Sequence, residues 1–578
     1  MIKSFAEYVD EHTLIELIIK ERVKSAAKKT VEKKAKQRKG RKKQDKKEKE
    51  QKDICQELHN LTPPRNTWRR LRKKTRNGIS STAVLNKLAL RNTIRYDIEQ
   101  VRNHGAEAPS YLVNLLQFIE KIKAIVNSDK PIDFSGQIKV IAQFKKNDGD
   151  TAIYRPLSVY NSLETKVLIS LASEYLTKYL DSYLHPEILA YRPKRVYHDL
   201  YRTTSGEDAI YGIQDFIDDH YDQSIYVAEC DIQKFYDVIN HDVVIRCFQE
   251  IAHEAQIPRF HEVERIIKAY LDSYSFHKDI MSLNDCQEYW EPYRQRQGKQ
   301  AKPFCRFEWV SDECLQGCYC NDDELAACKA LLGVPQGGAL SCVIANVVLN
   351  SVDKVITKEQ DTERFFVRYG DDILLAHTDY DKCKELIEAY TRSLEEHRLP
   401  YHPFKPLSEC KDGEKTTKEF WDRKSKAPFF WGPGEGNAFE WIGFVGYEVR
   451  YTGETRLRLS TLNKKFGAIN KRYHACILDK TPNDFKGYMK GNRKKLRGLP
   501  SSMSKFPALD KNMYTIQQMK SLDRYRLTKI LRLQDKLESR FGAIAQKDDV
   551  PIDIEKTFIT QWYRGEAFSF YRQLDKQK

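Results

Sequence analysis

The feature that most constrains this chain is an apolar segment, Phe365 to Ala376, with the tetrapeptide Tyr369-Gly370-Asp371-Asp372 at its centre. Strand-forming runs on both sides of a Gly-Asp turn predict a β-hairpin with adjacent carboxylates at its tip. Carboxylates this close repel each other unless a cation lies between them, and hard oxygen ligands suit a magnesium ion that bridges substrate phosphates. Asp also occurs in turns for ordinary backbone reasons, so this segment alone leaves a structural role open.

A second acidic residue follows another apolar run. The segment from Ile225 to Asp231 is typical of a strand, and a helix is predicted to begin near residues 239–242, with Asn240 or His241-Asp242 near its cap. Asp231 would then lie at the end of a strand. Three carboxylates on two strands can hold two metal ions about 3.5–4 Å apart, an arrangement that supports phosphoryl transfer.

A glycine-rich segment comes between these two signals. It runs from Gly333 through Pro335-Gln336-Gly337 to Ser341, and an apolar helical pattern starts at Val343. Glycines ahead of a helix allow backbone to approach a ligand closely. The alternative is a glycine turn that simply precedes a buried helix.

Taken in order, these three segments resemble motifs A, B and C of the reverse transcriptase family. The resemblance implies an α+β right-hand polymerase fold, with fingers, a palm built on an antiparallel sheet, and an α-helical thumb. It implies an RNA-directed DNA polymerase with Asp231, Asp371 and Asp372 as catalytic residues. Two Mg²⁺ ions, which Mn²⁺ could replace, would be held by Asp231, Ile232, Asp371 and Asp372.

The resemblance extends to residues that would bind substrate. Lys145-Lys146 and Arg155 resemble the fingers residues that contact the incoming triphosphate, and Phe404-Lys405 resembles the lysine motif after the catalytic hairpin. Gln336 and Gly337 belong to motif B, and Trp441-Ile442-Gly443-Phe444 looks like the primer-grip hairpin. The residues expected to bind substrate are Lys146, Arg155, Tyr236, Gln336, Gly337 and Lys405.

Tyr236 lies where the family places its aromatic steric gate, five residues after Asp231. An aromatic ring beneath the sugar would clash with a 2′-hydroxyl, so the site would prefer deoxynucleotides. Without the family context, a tyrosine after a strand is more readily explained by core packing.

Several segments around the motifs have their own predicted structure. The run Val140–Phe144, the turn Asn147–Asp150 and the strand leading to Arg155 predict a β-hairpin, followed by a helix from about Ser162 to Leu184. Residues 1–20 have an amphipathic helical pattern in Phe5, Val9, Leu14, Leu17 and Ile18.

The interval between motifs A and B is long, so residues 258–332 are interpreted as an irregular insertion. This insertion holds Cys314, Cys318, Cys320 and Cys328. The group could bind zinc, but it lacks paired Cys-x-x-Cys spacing, and ordinary reduced cysteines are the alternative. Motif B also departs from many relatives, because Cys342 follows Ser341 where they have proline.

The charge of the chain indicates a polyanionic partner. Lys and Arg outnumber Asp and Glu by 98 to 82, a formal net charge of +16, and cations that contact phosphates release bound counterions. Residues 21–52 alone carry 16 basic residues against 5 acidic ones. This basic run is either a nucleic-acid-binding arm or a solvated helix.

The predicted domains are a basic extension (1–62), fingers (63–220), palm (221–257 and 333–459), the insertion (258–332) and a thumb (460–578). Expected partners are an RNA template, a DNA product and deoxynucleoside triphosphates. No membrane association is expected, and the alternatives of a homo-oligomer and of an accessory protein stay open. The expected location is the bacterial cytoplasm, because no leader pattern is present. No nuclease segment is recognised after the predicted thumb.

The organisation is most similar to bacterial unknown-group, defence-associated and abortive-infection reverse transcriptases, which suggests a role in anti-phage defence. Two alternatives stay open at this stage. One is a retron or group II intron enzyme of a mobile element, and the other is a non-catalytic RNA-binding scaffold.

Overall fold

The computed structural model describes residues 2–36, 47–72, 82–197, 200–297 and 302–476, with seven positions between 517 and 532. The chain begins with helices α1 (Phe5–Tyr8), α2 (Glu11–Lys36), α3 (Lys47–Asn60), α4 (Thr82–His104) and α5 (Ser110–Asn127). The predicted amphipathic segment is therefore two helices. Ser4 caps α1 in a capping box with Glu7, and Asp10 accepts a 2.7 Å hydrogen bond from the Thr13 backbone at the start of α2. The apolar residues of this segment, Phe5, Val9, Leu14, Leu17 and Ile18, are buried as predicted.

The basic run does not begin as a solvated face. Glu21, Arg22 and Val23 are buried, and Arg22 Nε donates a 3.1 Å hydrogen bond to Thr62 Oγ1. Much of the remainder, residues 37–46, lies outside the described residues. The choice between an arm and a helix therefore stays a prediction for that part.

The fingers-like part begins with a long hairpin. The hairpin consists of β1 (Ile138–Asp148) and β2 (Thr151–Tyr160). The elements that follow it are α6 (Leu163–Leu180), β3 (Pro193–Tyr197), β4 (Leu200–Thr203) and α7 (Gly206–Asp219). Strands β1 and β2 are antiparallel, and Gly149 makes the turn with φ 54°. Ser162 caps α6, whose apolar side is fully buried, and the helix ends four residues before the predicted Leu184.

The centre of the molecule is a four-stranded antiparallel sheet. Its strands are β5 (Tyr226–Asp231), β7 (Arg364–Tyr369), β8 (Asp372–His377) and β11 (Lys426–Phe430). The helices of this part are α8 (Phe235–Val238) and α9 (His241–Glu254) before the insertion, and α14 (Ala339–Thr357) and α15 (Tyr380–Glu396) after it. The strand order is β11-β5-β8-β7. Helices α6, α9 and α15 pack on α14. Helices α14 and α15 cover one face of this sheet and α7 packs against β7 on the other, so the antiparallel sheet with its helices forms an α+β palm.

Helix α14 is the one helix in the described ranges that is long and apolar enough to cross a membrane. It lies in the protein core, where Ile344, Val348 and Val352 are completely buried. It also holds the buried Asp353, which pairs with Arg368 of β7. Its apolar character is therefore accounted for by packing beneath the sheet.

The insertion is more ordered than the sequence predicts. It contains α10 (His261–Asp272), a π-helical turn (Phe276–Ile280), α11 (Gln287–Gln297), β6 (Phe304–Phe307), α12 (Asp312–Gln316) and α13 (Asp322–Cys328). Helix α10 is strongly amphipathic and packs on α6, so the expectation of an irregular segment was wrong at this end. Strand β6 pairs in parallel with β2 and extends the fingers hairpin to three strands.

The chain after α15 builds smaller sheets beside the palm. These are β9 (Lys411–Asp412) with β10 (Lys415–Thr416), and the β12 (Trp441–Phe444), β13 (Tyr447–Arg450), β14 (Thr455–Leu457) meander, with α16 (Lys418–Asp422) between them and α17 (Leu459–Cys476) after them. The predicted primer-grip segment is β12 and makes a hairpin with β13 through Gly446 at φ 89°. Most of the predicted thumb lies outside the described residues, and the proposed domain boundaries stay predictions.

Candidate active site

Three aspartates meet at one end of the palm sheet. Asp231 is the last residue of β5, Asp372 is the first of β8, and the two are direct partners across the strands. Asp371 precedes Asp372 in the turn from β7, where Gly370 adopts φ 74°. That backbone conformation favours glycine, so the Gly-Asp-Asp order is the one that the tight turn requires.

A buried ion pair supports this turn from below. Arg368 on β7 and Asp353 on α14 are both fully buried, with Nε and Oδ2 2.7 Å apart. Arg368 also donates a 3.0 Å hydrogen bond to the carbonyl oxygen of Gly370. The guanidinium therefore ties the catalytic turn to the helix behind the sheet, and losing one partner would leave an uncompensated buried charge.

The three carboxylates influence each other electrostatically. Desolvation, followed by the charges of Asp371 and Asp231, raises the pKa of Asp372 to about 7. Desolvation also raises the pKa of Asp371, and the charge of Asp231 adds to the effect. Such repulsion between neighbouring carboxylates is relieved by a bound cation.

A lysine that the sequence did not indicate neutralises part of this charge. Lys424 Nζ lies 2.7 Å from Asp231 Oδ2. Burial disfavours its charge, but the hydrogen bond and the charge of Asp231 outweigh that effect and raise the pKa of Lys424. His402 Nε2 lies 3.9 Å from the same oxygen. Both residues come from the chain after motif C, far from the motifs in sequence.

The donor set fits a divalent metal, although it is not gathered into a closed ligand cluster. In the described part of the chain, no three His, Cys, Asp or Glu side chains form such a cluster, either at the aspartates or at the insertion cysteines. The aspartates nevertheless supply hard oxygens whose mutual repulsion Lys424 relieves only in part, and such a donor set suits a divalent cation. Ile232, predicted as a fourth ligand, follows Asp231 and is buried.

The predicted triphosphate-binding residues lie on the fingers hairpin. Arg155 on β2 is exposed, and it is close enough to Asp371 and to Asp237 for its charge to oppose the desolvation that raises the pKa of each. Lys145 and Lys146 are near the end of β1. The structure thus brings Arg155 to the aspartates and places both lysines on the same hairpin.

Motif B meets both the fingers and the palm. Gln336 donates a hydrogen bond to Oδ1 of the buried Asp237, and its carbonyl accepts one of 2.9 Å from the Ser158 backbone on β2. Gly337 adopts φ 84° and lies against Leu157. Gly333 leaves no space for a side chain, because an added Cβ would approach Phe276 Cβ to 2.7 Å. These contacts couple the motif B loop to the fingers strand.

Tyr236 is half-buried and lies close enough to Tyr191 and Asp371 for both to influence its hydroxyl. Desolvation is the main cause that raises the pKa of Tyr236, so its hydroxyl stays protonated. Tyr191 is 48% exposed and adopts φ 63°, a conformation that is strained for a side chain of this size. The sequence did not single out Tyr191, and only its backbone conformation distinguishes it.

Two further predictions concern Lys405 and the cysteines of the insertion. Lys405 is exposed, and its backbone carbonyl accepts a 2.9 Å hydrogen bond from Arg423. Its role in substrate binding therefore stays a prediction, while Lys424 is the lysine found against Asp231. The described cysteines are free, as expected for reduced thiols, and Cys328 accepts a contact from Arg398.

The comparisons with known proteins agree with this arrangement. Residues 144–407 match the model of the family described as reverse transcriptase (RNA-dependent DNA polymerase). This span includes all three aspartates, the glycine-rich loop and the fingers residue Arg155. The antiparallel palm and the family match define a template-directed polymerase, and residues 144–407 are a reverse transcriptase domain. The domain is that of an RNA-directed DNA polymerase, a nucleotidyltransferase.

Solved structures give more distant similarities. Apo telomerase from Candida tropicalis is 11% identical, with 86% of this chain and 76% of that chain covered and a TM-score of 0.34. Telomerase from Candida albicans, in complex with a fragment of telomeric RNA, is 13% identical over 92% and 82% of the two chains, with a TM-score of 0.30. No curated protein matches the sequence. The family match, with the antiparallel palm, confirms the predicted α+β right-hand polymerase fold.

Proposed function

We propose that this polymerase uses two divalent ions, Mg²⁺ by preference, held by Asp231, Asp371 and Asp372. The observation that carries the proposal is the meeting of these three carboxylates at the end of β5 and β8, with Asp372 opposite Asp231. When bound, the ions would activate the primer hydroxyl and stabilise the departing pyrophosphate. Lys424 would release Asp231 as the ions bind.

The other residues of the site orient the nucleotide. Arg155 and Lys146 would contact the triphosphate, because both lie on the fingers hairpin and the charge of Arg155 reaches Asp371. Gln336 would position the nucleotide from the motif B loop, which its hydrogen bond to Asp237 holds in place. The ring of Tyr236 would lie beneath the sugar and exclude a 2′-hydroxyl.

The test is primer extension on an RNA template with labelled deoxynucleotides and Mg²⁺. Asp371→Asn should abolish incorporation without loss of folding, because it removes a metal-binding charge from a site that carries excess negative charge. Asp381→Asn, which alters an exposed aspartate on α15, is the matched control and should extend normally. Full activity of Asp371→Asn would overturn the assignment of the metal site.

We further propose that the DNA product serves bacterial anti-phage defence. The support is organisational: the insertion between motifs A and B and the basic run resemble the unknown-group and abortive-infection enzymes. Expression of the gene with its native flanking DNA, which could encode a template RNA, should protect cells from some phages. Protection should be lost in Asp371→Asn, because DNA synthesis would be the effector.

Two outcomes would favour the alternatives. A structured RNA gene next to the reading frame, with mobility of the element, would support a retron or group II intron enzyme. Full protection by Asp371→Asn would instead support a non-catalytic RNA-binding scaffold. The hydrogen-bonded and charged partners around Asp231, Asp237 and Arg155 favour the catalytic proposal, because a scaffold has no need of them.

A further inference from the structure

The insertion is built into the fingers rather than appended to them. Strand β6 pairs with β2 over Thr151–Tyr154. Trp290 of α11 is buried against Tyr154 and Phe307, with ring centroids 5.2 and 5.0 Å away. Tyr293 Oη accepts a 2.9 Å hydrogen bond from the Ala142 backbone on β1. The residue that follows β6 is therefore held at a fixed place relative to the hairpin.

That residue is Glu308, and its carboxylate lies among three lysines. Lys234 Nζ is 2.6 Å from Glu308 Oε2 and also donates a 3.0 Å hydrogen bond to the Glu308 carbonyl. Lys145 Nζ is 3.4 Å from Oε2, and Lys146 Nζ is 4.0 Å from Oε1. The three ammonium groups, which would otherwise repel each other, are thus gathered around one carboxylate.

These lysines border the nucleotide site on two sides. Lys145 and Lys146 come from the fingers hairpin, where the triphosphate is expected. Lys234 follows motif A in a left-handed conformation with φ 51°, two residues before Tyr236. A cation cluster between the fingers and the sugar gate is the place where a polyphosphate would bind, and Glu308 occupies it with the opposite charge.

We propose that Glu308 is an internal competitor for the triphosphate, a carboxylate that the incoming nucleotide must displace from Lys145, Lys146 and Lys234. This inference rests on the proposed nucleotide site and concerns how tightly that site binds a nucleotide. A nucleoside triphosphate, which carries more negative charge than one carboxylate, would displace Glu308 from the lysines, and Glu308 would in turn compete with the pyrophosphate product for them. Glu308 thereby sets how tightly the site holds polyphosphates.

The energetic basis is electrostatic. Glu308 neutralises lysines that would otherwise attract phosphate, and its own charge repels the ligand at short range. The side chains are 24–51% exposed, so solvent and salt screen the interaction. A change of about threefold to tenfold in ligand affinity is the scale that such a partly exposed cluster supports.

The experiment compares Glu308→Gln and Glu308→Ala with the parent enzyme. Both variants should lower KM for deoxynucleotides by about threefold to tenfold while kcat changes less. Both should also bind inorganic tripolyphosphate more tightly in calorimetry, and pyrophosphate should inhibit them more strongly. Glu291→Gln is the matched control. Glu291 is an exposed glutamate of the same insertion, and its carboxylate accepts a 2.9 Å hydrogen bond from Gln295 one turn along α11.

The tripolyphosphate titration keeps this inference separate from the proposed function. If the parent protein incorporates no nucleotide, the proposed function fails, and the titration still reports whether Glu308 competes with polyphosphate. Unchanged or weaker tripolyphosphate binding in both variants overturns the inference. A raised KM also overturns it, since Glu308 would then order the lysines for the nucleotide instead of competing with it.

Discussion

At the scale of single residues, the position of Tyr236 predicts the sugar preference of the enzyme. Tyr236→Ala should raise ribonucleotide incorporation relative to deoxynucleotide by about tenfold or more, because it removes a steric clash of about 1–3 kcal/mol. The measurement is the ratio of kcat/KM for the two sugars. Tyr221→Ala, at a tyrosine that is 83% exposed, is the control. An unchanged ratio would show that another residue is the gate.

A second residue-scale prediction concerns Asp237, the buried partner of Gln336. Burial, opposed by the charge of Lys234 and the hydrogen bond from Gln336, raises the pKa of Asp237 to about 7. The folded protein therefore favours the protonated carboxyl, and the stability this provides at low pH is lost as pH rises from about 4 through about 7. Asp237→Asn keeps an acceptor oxygen without the charge.

The free energy of unfolding of Asp237→Asn should consequently fall less than that of the parent between about pH 5 and pH 8. Urea unfolding at several pH values within this range gives the comparison. Parallel pH profiles for the two proteins would mean that the ionisation of Asp237 does not contribute to the pH dependence of stability.

At the scale of helices and strands, the sequence predicted those elements whose determining residues lie close together in the chain. The hairpins around Gly149 and Gly370, the start of α9 near Asn240 and the apolar helix α14 all follow from residues close together in the chain. Strand β6 does not, because four residues paired in parallel with a strand about 150 positions earlier carry no local signal. The same reason hid Lys424 and Glu308, whose partners are distant in sequence.

The attachment of the insertion can be tested at its central side chain. Trp290 is 1% exposed, and its indole N–H donates a 2.8 Å hydrogen bond to the Leu283 carbonyl. Trp290→Ala should destabilise this part of the protein by about 3–5 kcal/mol, because it leaves a cavity beneath the three-stranded sheet. The readouts are a lower Tm and faster proteolysis within 274–309. Trp290→Phe should lose less, and equal losses would contradict the cavity argument.

At the scale of the whole molecule, the open question is whether RNA binding depends on the net charge of +16 or on the basic run. The buried Glu21, Arg22 and Val23 make deletion of 21–52 a poor test, because it would damage the core. Substitution of individual basic residues by glutamine, which leaves 21–23 intact, avoids this difficulty. A suitable set of five is Arg38, Lys39, Arg41, Lys42 and Lys43.

Glutamine at these five positions should weaken RNA binding and reduce the slope of log affinity against log salt by up to about 3–4, since each lost phosphate contact on a single strand removes about 0.7. The control neutralises five exposed lysines elsewhere, Lys358, Lys382, Lys384, Lys415 and Lys418. Both proteins lose the same net charge, so a long-range field alone would change both slopes equally. A larger change in the first protein would place direct phosphate contacts in the basic run, and equal changes would assign its effect to overall charge.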